Sequence, residues 1–150
     1  MNEEDVRPWA IVYIRGFNYL DTNSLSCNMN GRPFMIYKVR GDNVYLFSIR
    51  PNNLFSAKEF YYPITLKSYK GNLNKCYVNL RYVYSIKKDV LIKKVCELKS
   101  ELNLNTKIKY LPSKFRNGIL KGIEKICFVD DYNNIINDVK NGKLNTNMFI

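Results

Sequence analysis

The stretch Arg32-Pro33-Phe34-Met35-Ile36-Tyr37-Lys38-Val39-Arg40-Gly41-Asp42-Asn43-Val44-Tyr45-Leu46-Phe47-Ser48-Ile49-Arg50 decides how this chain folds. Phe34 to Val39 and Val44 to Ile49 are apolar runs of strand length, and Gly41, Asp42 and Asn43 between them are turn residues. Two strands joined by so short a turn must pair antiparallel. Their outer ends therefore meet, which brings Arg32 close to Ser48 and Arg50. Pro33 denies Arg32 the helical region and leaves it extended at the strand mouth. Two guanidinium groups and a hydroxyl converging on one spot suit a phosphodiester. A surface hairpin with solvated arginines accounts for the same residues equally well.

Working outward, the charge follows the hairpin. The formal net charge is +11. From Arg32 to Lys88 there are eleven basic residues against Asp42 and Glu59 alone, so nine of the eleven excess charges lie in the region that reads as sheet. Aromatic residues such as Tyr37, Tyr45, Phe47, Phe60, Tyr61, Tyr62, Tyr77 and Tyr82 are interleaved with these cations. Cations beside stacking faces are what single-stranded nucleic acid favours, although most strand tyrosines simply pack a core.

Composition excludes several classes. With 46% hydrophobic residues the chain is not disordered, and 150 residues suffice for one domain with its own core. The apolar run Trp9 to Ile14 is too short to span a bilayer, and the acidic start Met1-Asn2-Glu3-Glu4-Asp5 is unlike a signal peptide, so a cytoplasmic protein with no membrane partner is expected. Cys27, Cys76, Cys96 and Cys127 form no C-x-x-C pair, and there is no histidine, the commonest general base and metal ligand. No metal site and no cofactor is expected.

Before the hairpin, Pro8 to Ile14 reads as a strand and Asp21 to Gly31 as a loop. After it, Leu54 to Glu59 is an irregular excursion, and Phe60 to Leu66 is a strand whose Pro63 assigns it to an edge or a bulge. Cys76 to Ile86 alternates, with Tyr77, Asn79, Arg81 and Val83 on one face and Val78, Leu80, Tyr82 and Tyr84 on the other. The period then changes to that of a helix. Leu91, Val95, Leu98 and Leu102 form one stripe, Phe115, Ile119, Ile123 and Ile126 a second, and Tyr132, Ile135, Ile136 and Val139 a third, ended by Gly142. Gly118 and Gly122, spaced as in GxxxG, indicate close packing only. Strands first and helices afterwards make an α+β fold: a compact, strongly twisted, mostly antiparallel sheet or partial barrel with about three packed helices, mainly C-terminal.

The chemistry open to such a chain is metal-free cleavage of RNA. The 2′-hydroxyl attacks its own phosphate, and the protein orients the backbone and neutralises the phosphorane. Arg32, Ser48 and Arg50 are the candidate catalytic group, with Tyr19 and Lys58 on the flanking loops as auxiliaries. Candidate RNA contacts by charge and position are Arg15, Tyr37, Asn52, Lys67, Lys70, Lys75, Arg81, Lys87, Lys107, Lys109, Lys114 and Arg116. No general base is evident, since an arginine loses its proton only above about pH 12.

Gly31-Arg32-Pro33, the two hairpin strands and the later Pro63-Ile64-Thr65-Leu66 strand resemble the start of the MazF/PemK (CcdB-like) toxin barrels, over residues 8 to 66. Gly31 to Pro51, then Tyr77-Val78-Asn79-Leu80-Arg81-Tyr82-Val83, then Pro112 to Gly142 resemble in order the toxins of type III toxin–antitoxin systems, the ToxN, AbiQ and CptN group, with the short CptN branch the nearest in length. The resemblance implies a metal-independent, sequence-selective endoribonuclease that leaves 2′,3′-cyclic phosphate and 5′-hydroxyl ends. It also implies inhibition by a repeated RNA pseudoknot that the toxin processes, within a closed protein–RNA assembly holding more than one toxin copy. The family's basic residue falls on Arg32, and its tyrosine on Tyr19 or Phe17. Its Thr-Ser-Pro-Lys exit falls on Ile49-Arg50-Pro51-Asn52, a departure in which Ser48 stands in for the hydroxyl and Arg50 for the cation. The competing expectation, motivated by the missing base, is a non-catalytic RNA-binding regulatory module.

Overall fold

The computed structural model describes residues 1–14, 32–51, 60–67, 73–101 and 107–128. The hairpin forms as its sequence requires. Strand β2 (Arg32–Arg40) pairs antiparallel with β3 (Asn43–Arg50), from Arg40 opposite Asn43 to Phe34 opposite Ser48. The turn is the two residues Gly41 and Asp42. Gly41 has φ +56° and Asp42 does not share that region, the pattern of a type II′ turn, which suits the twist of the flanking strands. Asn43, read from sequence as turn, already belongs to β3.

Around this hairpin stand β1 (Ala10–Ile14), β4 (Tyr61–Lys67), β5 (Leu73–Lys87) and β6 (Lys109–Tyr110), in the spatial order β4-β5-β3-β2-β1-β6, every pair antiparallel. β4 is an edge strand, as Pro63 indicated. β1 starts later than expected because Trp9 is held in the left-handed region at φ 74°. Its N–H donates to the Ile36 carbonyl at 2.7 Å and its carbonyl accepts from Leu111 N–H at 2.8 Å, so these contacts hold a conformation that costs about 1–2 kcal/mol. Two α-helices lie among the described residues, α1 (Lys88–Glu101) and α2 (Ser113–Phe128). The third expected stripe, Tyr132 to Val139, and Leu102 lie outside them, as does the loop Asp21 to Gly31. None of the described helices is long and apolar enough to cross a membrane.

Both faces of the sheet are buried. One cluster joins Met35, Phe47, Ile49, Ile64, Val78 and Leu80 to Ile119 and Ile123 of α2; the other joins Val12, Phe34, Ile36, Leu46, Tyr84 and Ile86 to Leu91 and Val95 of α1. The first cluster contains Ile11 of β1 as well as Ile64 of β4, strands far apart in the sheet order, so the sheet is curled around it. The curl brings the two edges together: Lys109 Nζ on β6 donates to the Lys67 carbonyl at the end of β4, 3.4 Å away.

The alternation expected along β5 is corrected by a bulge. Between the pairs Leu46–Tyr84 and Ser48–Asn79, β3 advances two residues and β5 five. That odd insertion resets the phase, so Val83 packs with Val78 and Leu80 while Tyr84 joins Ile86 on the opposite face. The face carrying Tyr77 and Asn79 is by sequence polar enough to meet water or a ligand; Asn79 is fully buried and Tyr77 half-buried.

The glycine spacing on α2 is used for close approach. A Cβ at Gly118 would overlap the Tyr62 hydroxyl and the ring carbon that bears it, and one at Gly122 would come within 2.9 Å of Leu80 Cδ1. Gly118→Ala therefore destabilises the fold by about 1–2 kcal/mol, overpacking outweighing the helix gain of about 1 kcal/mol. In a Tyr62→Ala background the same change becomes neutral or stabilising, as urea unfolding of the four proteins will report. Cys76 supplies a pH-dependent term. Burial pushes its thiol up to about 11, against a hydrogen bond from the Leu66 backbone that lowers it, from an ordinary 9.0. The folded state holds this proton more tightly than the unfolded chain, so the contribution is complete below pH 9 and is lost as pH rises towards 11. A Cys76→Ala protein should lose that alkaline slope in denaturation curves measured across the interval.

Candidate nucleic-acid interface

Cross-strand register builds the site rung by rung. Residues directly opposite in an antiparallel pair share a face, and residues two apart on one strand do too. One rung runs Val12, Phe34, Ser48, Asn79, Tyr61 across five strands. The next rung outward holds Ile14 opposite Arg32, and Arg50 opposite Tyr77, which is opposite Pro63. Arg32 and Arg50 each stand two residues beyond the Phe34–Ser48 pair, at the open end of the hairpin, in a register set by the shift between Ile36 and Lys38. Arg32 is placed by its backbone alone.

The inner rung is polar where the core should be oil. Ser48 and Asn79 are 0% exposed, and among the described residues, tyrosines aside, only Ser85 joins them as a buried polar residue. Asn79 Nδ2 donates to the Tyr61 hydroxyl at 3.4 Å, and Tyr61 is itself 8% exposed. The Ser48 hydroxyl, expected to orient a reacting oxygen, has no exposed surface. A side chain with no accessible surface acts on a ligand only through its neighbours.

The outer rung reaches water. Arg50 is half-buried with its Nε shut off from solvent, so the stem is held while part of the residue remains accessible. Tyr77 beside it is half-buried, packs edge-on against Tyr61 with ring centroids 6.5 Å apart, and has Lys75 Nζ 6.0 Å from its ring centre. A half-buried cation, an aromatic ring and a second cation thus follow one another at this end of the sheet. Tyr61, Tyr77 and Asn79 were not singled out as site residues from the sequence. The signal that finds them is register, which pairs them with Ser48 and Arg50.

The other expected contacts divide. Lys67, Lys75, Lys87, Lys107, Lys109 and Lys114 are exposed. Lys114 lies 5.0 Å from the Phe115 ring centre. Arg116 is occupied within the fold, its Nε donating to the Leu111 carbonyl at 3.0 Å and its guanidinium 5.6 Å from the Trp9 ring centre. Tyr37 lies on the opposite face from Arg50, packed 5.2 Å from Phe47 with Lys38 Nζ 5.4 Å from its ring centre. Arg81 is placed by its backbone within the bulged part of β5. Arg15, Tyr19, Asn52, Lys58 and Lys70 lie outside the described residues.

No family model, curated protein or solved structure matches this chain. The distribution of charge therefore has to be read from its own residues. The described parts of β4 and β5 and the segment from Lys107 to Ile123 contain no acidic residue, yet carry Lys67, Lys75, Arg81, Lys87, Lys107, Lys109, Lys114, Arg116 and Lys121. The N-terminal turn and α1 instead mix Glu3, Glu4, Asp5, Asp89, Glu97 and Glu101 with their lysines. Segments that carry cations without acids would attract a polyanion. Replacing Lys67 and Lys109 together by Glu should weaken binding of a single-stranded oligoribonucleotide and flatten the log–log salt dependence by about 0.7 for each phosphate no longer held. Lys93→Glu on α1 should leave both unchanged, as fluorescence anisotropy at several salt concentrations will show.

Proposed function

We propose that the protein is a metal-independent endoribonuclease, the toxin of a type III toxin–antitoxin system. The observation that carries the reading is the half-buried Arg50 opposite Tyr77, with Lys75 beside that ring, at the open end of the hairpin where Arg32 also begins β2. Support also comes from the sequence resemblance over three segments in order.

In this reading an unpaired stretch of RNA enters along the cationic surface, with a base against Tyr77 and the scissile phosphate between the two arginines. The 2′ oxygen bonds to phosphorus as the bond from phosphorus to the 5′ oxygen breaks. The 2′ proton passes to water and the departing 5′ oxygen takes one up, leaving 2′,3′-cyclic phosphate and 5′-hydroxyl ends. Arg32 and Arg50 supply positive charge where the phosphorane accumulates negative charge, and arginine remains charged throughout. Ser48, Asn79 and Tyr61 support this arrangement from beneath. With no histidine in the chain to act as base, the rate enhancement is modest. The cellular partner is a repeated RNA pseudoknot, processed by the protein and held with more than one protein copy in a closed assembly. Tandem repeats preceding the reading frame would identify it.

The test is cleavage of a single-stranded RNA by the purified chain in EDTA, with the ends identified chemically. Wild-type protein should produce cyclic-phosphate ends, and Arg32→Ala and Arg50→Ala should each lower kcat by about 100-fold or more while the fold survives. Binding without any cleavage would assign the chain instead to non-catalytic RNA recognition.

A further inference from the structure

The buried rung beneath the arginines is not what a core alone would select. The strand positions around it are filled by apolar residues, and an apolar pair at Ser48 and Asn79 would pack between the same strands without desolvating a hydroxyl and an amide. Hydrogen bonds can offset such desolvation, and they add direction, which an apolar pair lacks. Here the Asn79 amide donates to the Tyr61 hydroxyl on the neighbouring strand. The rung also lies where β5 is bulged, immediately beyond the Ser48–Asn79 pair, and bulges re-aim side chains beside functional sites. A buried directional group and a break in the ladder thus coincide under the arginine that lines the mouth.

We propose that Asn79, bonded to the Tyr61 hydroxyl and paired with Ser48 across the β3–β5 rung, is a positioning residue that fixes the Arg50 guanidinium for phosphodiester cleavage. The proposal rests on the cleavage reading above. Asn79 and Ser48 adjoin Arg50 on one face: Ser48 precedes it by two residues on β3, and Asn79 follows by two residues the Tyr77 that is its cross-strand partner. Tyr61 closes the row from β4 and buttresses Tyr77 edge-on, so the same phenol contacts both the amide of the inner rung and the ring of the outer one. The rung next to Arg50 on its own face is therefore made of directional polar groups, where apolar side chains would impose no orientation on a neighbouring guanidinium. A displacement of about 1 Å in a charge-stabilising group can cost on the order of 100-fold in rate.

A structural role and a positioning role make different forecasts for an apolar replacement of similar size. Asn79→Leu should unfold within about 5 °C of wild type, because the leucine exchanges buried polarity for apolar packing, yet its kcat should fall about 100-fold. Its dissociation constant for an uncleavable oligonucleotide carrying a 2′-deoxy residue at the cut site should stay within about twofold, since the effect is confined to the transition state. Tyr61→Phe, which removes one oxygen atom, should lower kcat in the same direction, and combining the two should cost no more than Asn79→Leu alone. Wild-type cleavage with kcat unchanged in both single variants overturns the proposal. So does a fall in kcat that merely follows a fall in thermal stability or in analogue binding. If Asn79→Leu does not fold, Tyr61→Phe decides alone, and an unchanged kcat in that variant overturns the proposal. Intact RNA after incubation with the wild-type protein overturns the cleavage reading and this inference with it.

Discussion

The phase reset in β5 opposite Leu46 to Ser48 is the constraint on which the rest of the molecule depends. β5 is 15 residues long and serves as partner to both β3 and β4, so its two halves must present apolar side chains to different helices. Its inner half offers Tyr84 and Ile86 to the side covered by α1; its outer half offers Val78 and Leu80 to the side covered by α2. Strict alternation over such a length would keep one set of side chains on one face throughout. The bulge permits the exchange, and by increasing local twist it also helps the sheet curl until β4 and β6 approach.

The same irregularity accounts for the polar rung. Once β5 changes phase, Asn79 is directed to the face shared with Phe34 and Ser48, away from the cluster that contains its neighbours Val78 and Leu80. That face is oily under α1 and becomes polar only towards the ends of β3, β4 and β5. The transition from Phe34 through Ser48 and Asn79 to Arg50 and Tyr77 therefore takes place over two rungs. A held arginine stem at that boundary is partly desolvated, which strengthens its field on an approaching anion, and partly open, which lets the anion arrive.

Charge and shape then divide the molecule into two sides. The side built from β4, β5, β6 and the first turns of α2 has cations without acids, whereas α1 and the N-terminal turn mix both signs. The glycine row of α2 matters here because it lowers the helix onto Tyr62 and Leu80, keeping the cationic elements in one compact body.

Much of this was legible in the residues. The hairpin, the edge position demanded by Pro63, the stripes Leu91–Val95–Leu98 and Phe115–Ile119–Ile123 and the concentration of charge follow from local rules of turn chemistry, backbone donors and periodicity, which act within a few residues of sequence. The shortness of the turn sends the Arg32 and Arg50 ends of the hairpin to the same side of the molecule, but the pairing of Phe34 with Ser48 also needs the register shift between Ile36 and Lys38, which no local rule reveals. The burial of Asn79, the depth of Ser48 and the place of Tyr61 in the same rung were not legible. They depend on which residues of β5 face β3 and β4, and that register is set by long-range pairing and by the bulge. Strict alternation along Cys76 to Ile86 predicts the wrong partner for Val83 because a period-two pattern cannot reveal an insertion whose residues are all acceptable in a strand. The hairpin, the fold class and the sign of the charge around it thus follow from the residues alone. The enclosure of Ser48, and what encloses it, follows from packing, because enclosure is a property of strands brought together from distant parts of the chain.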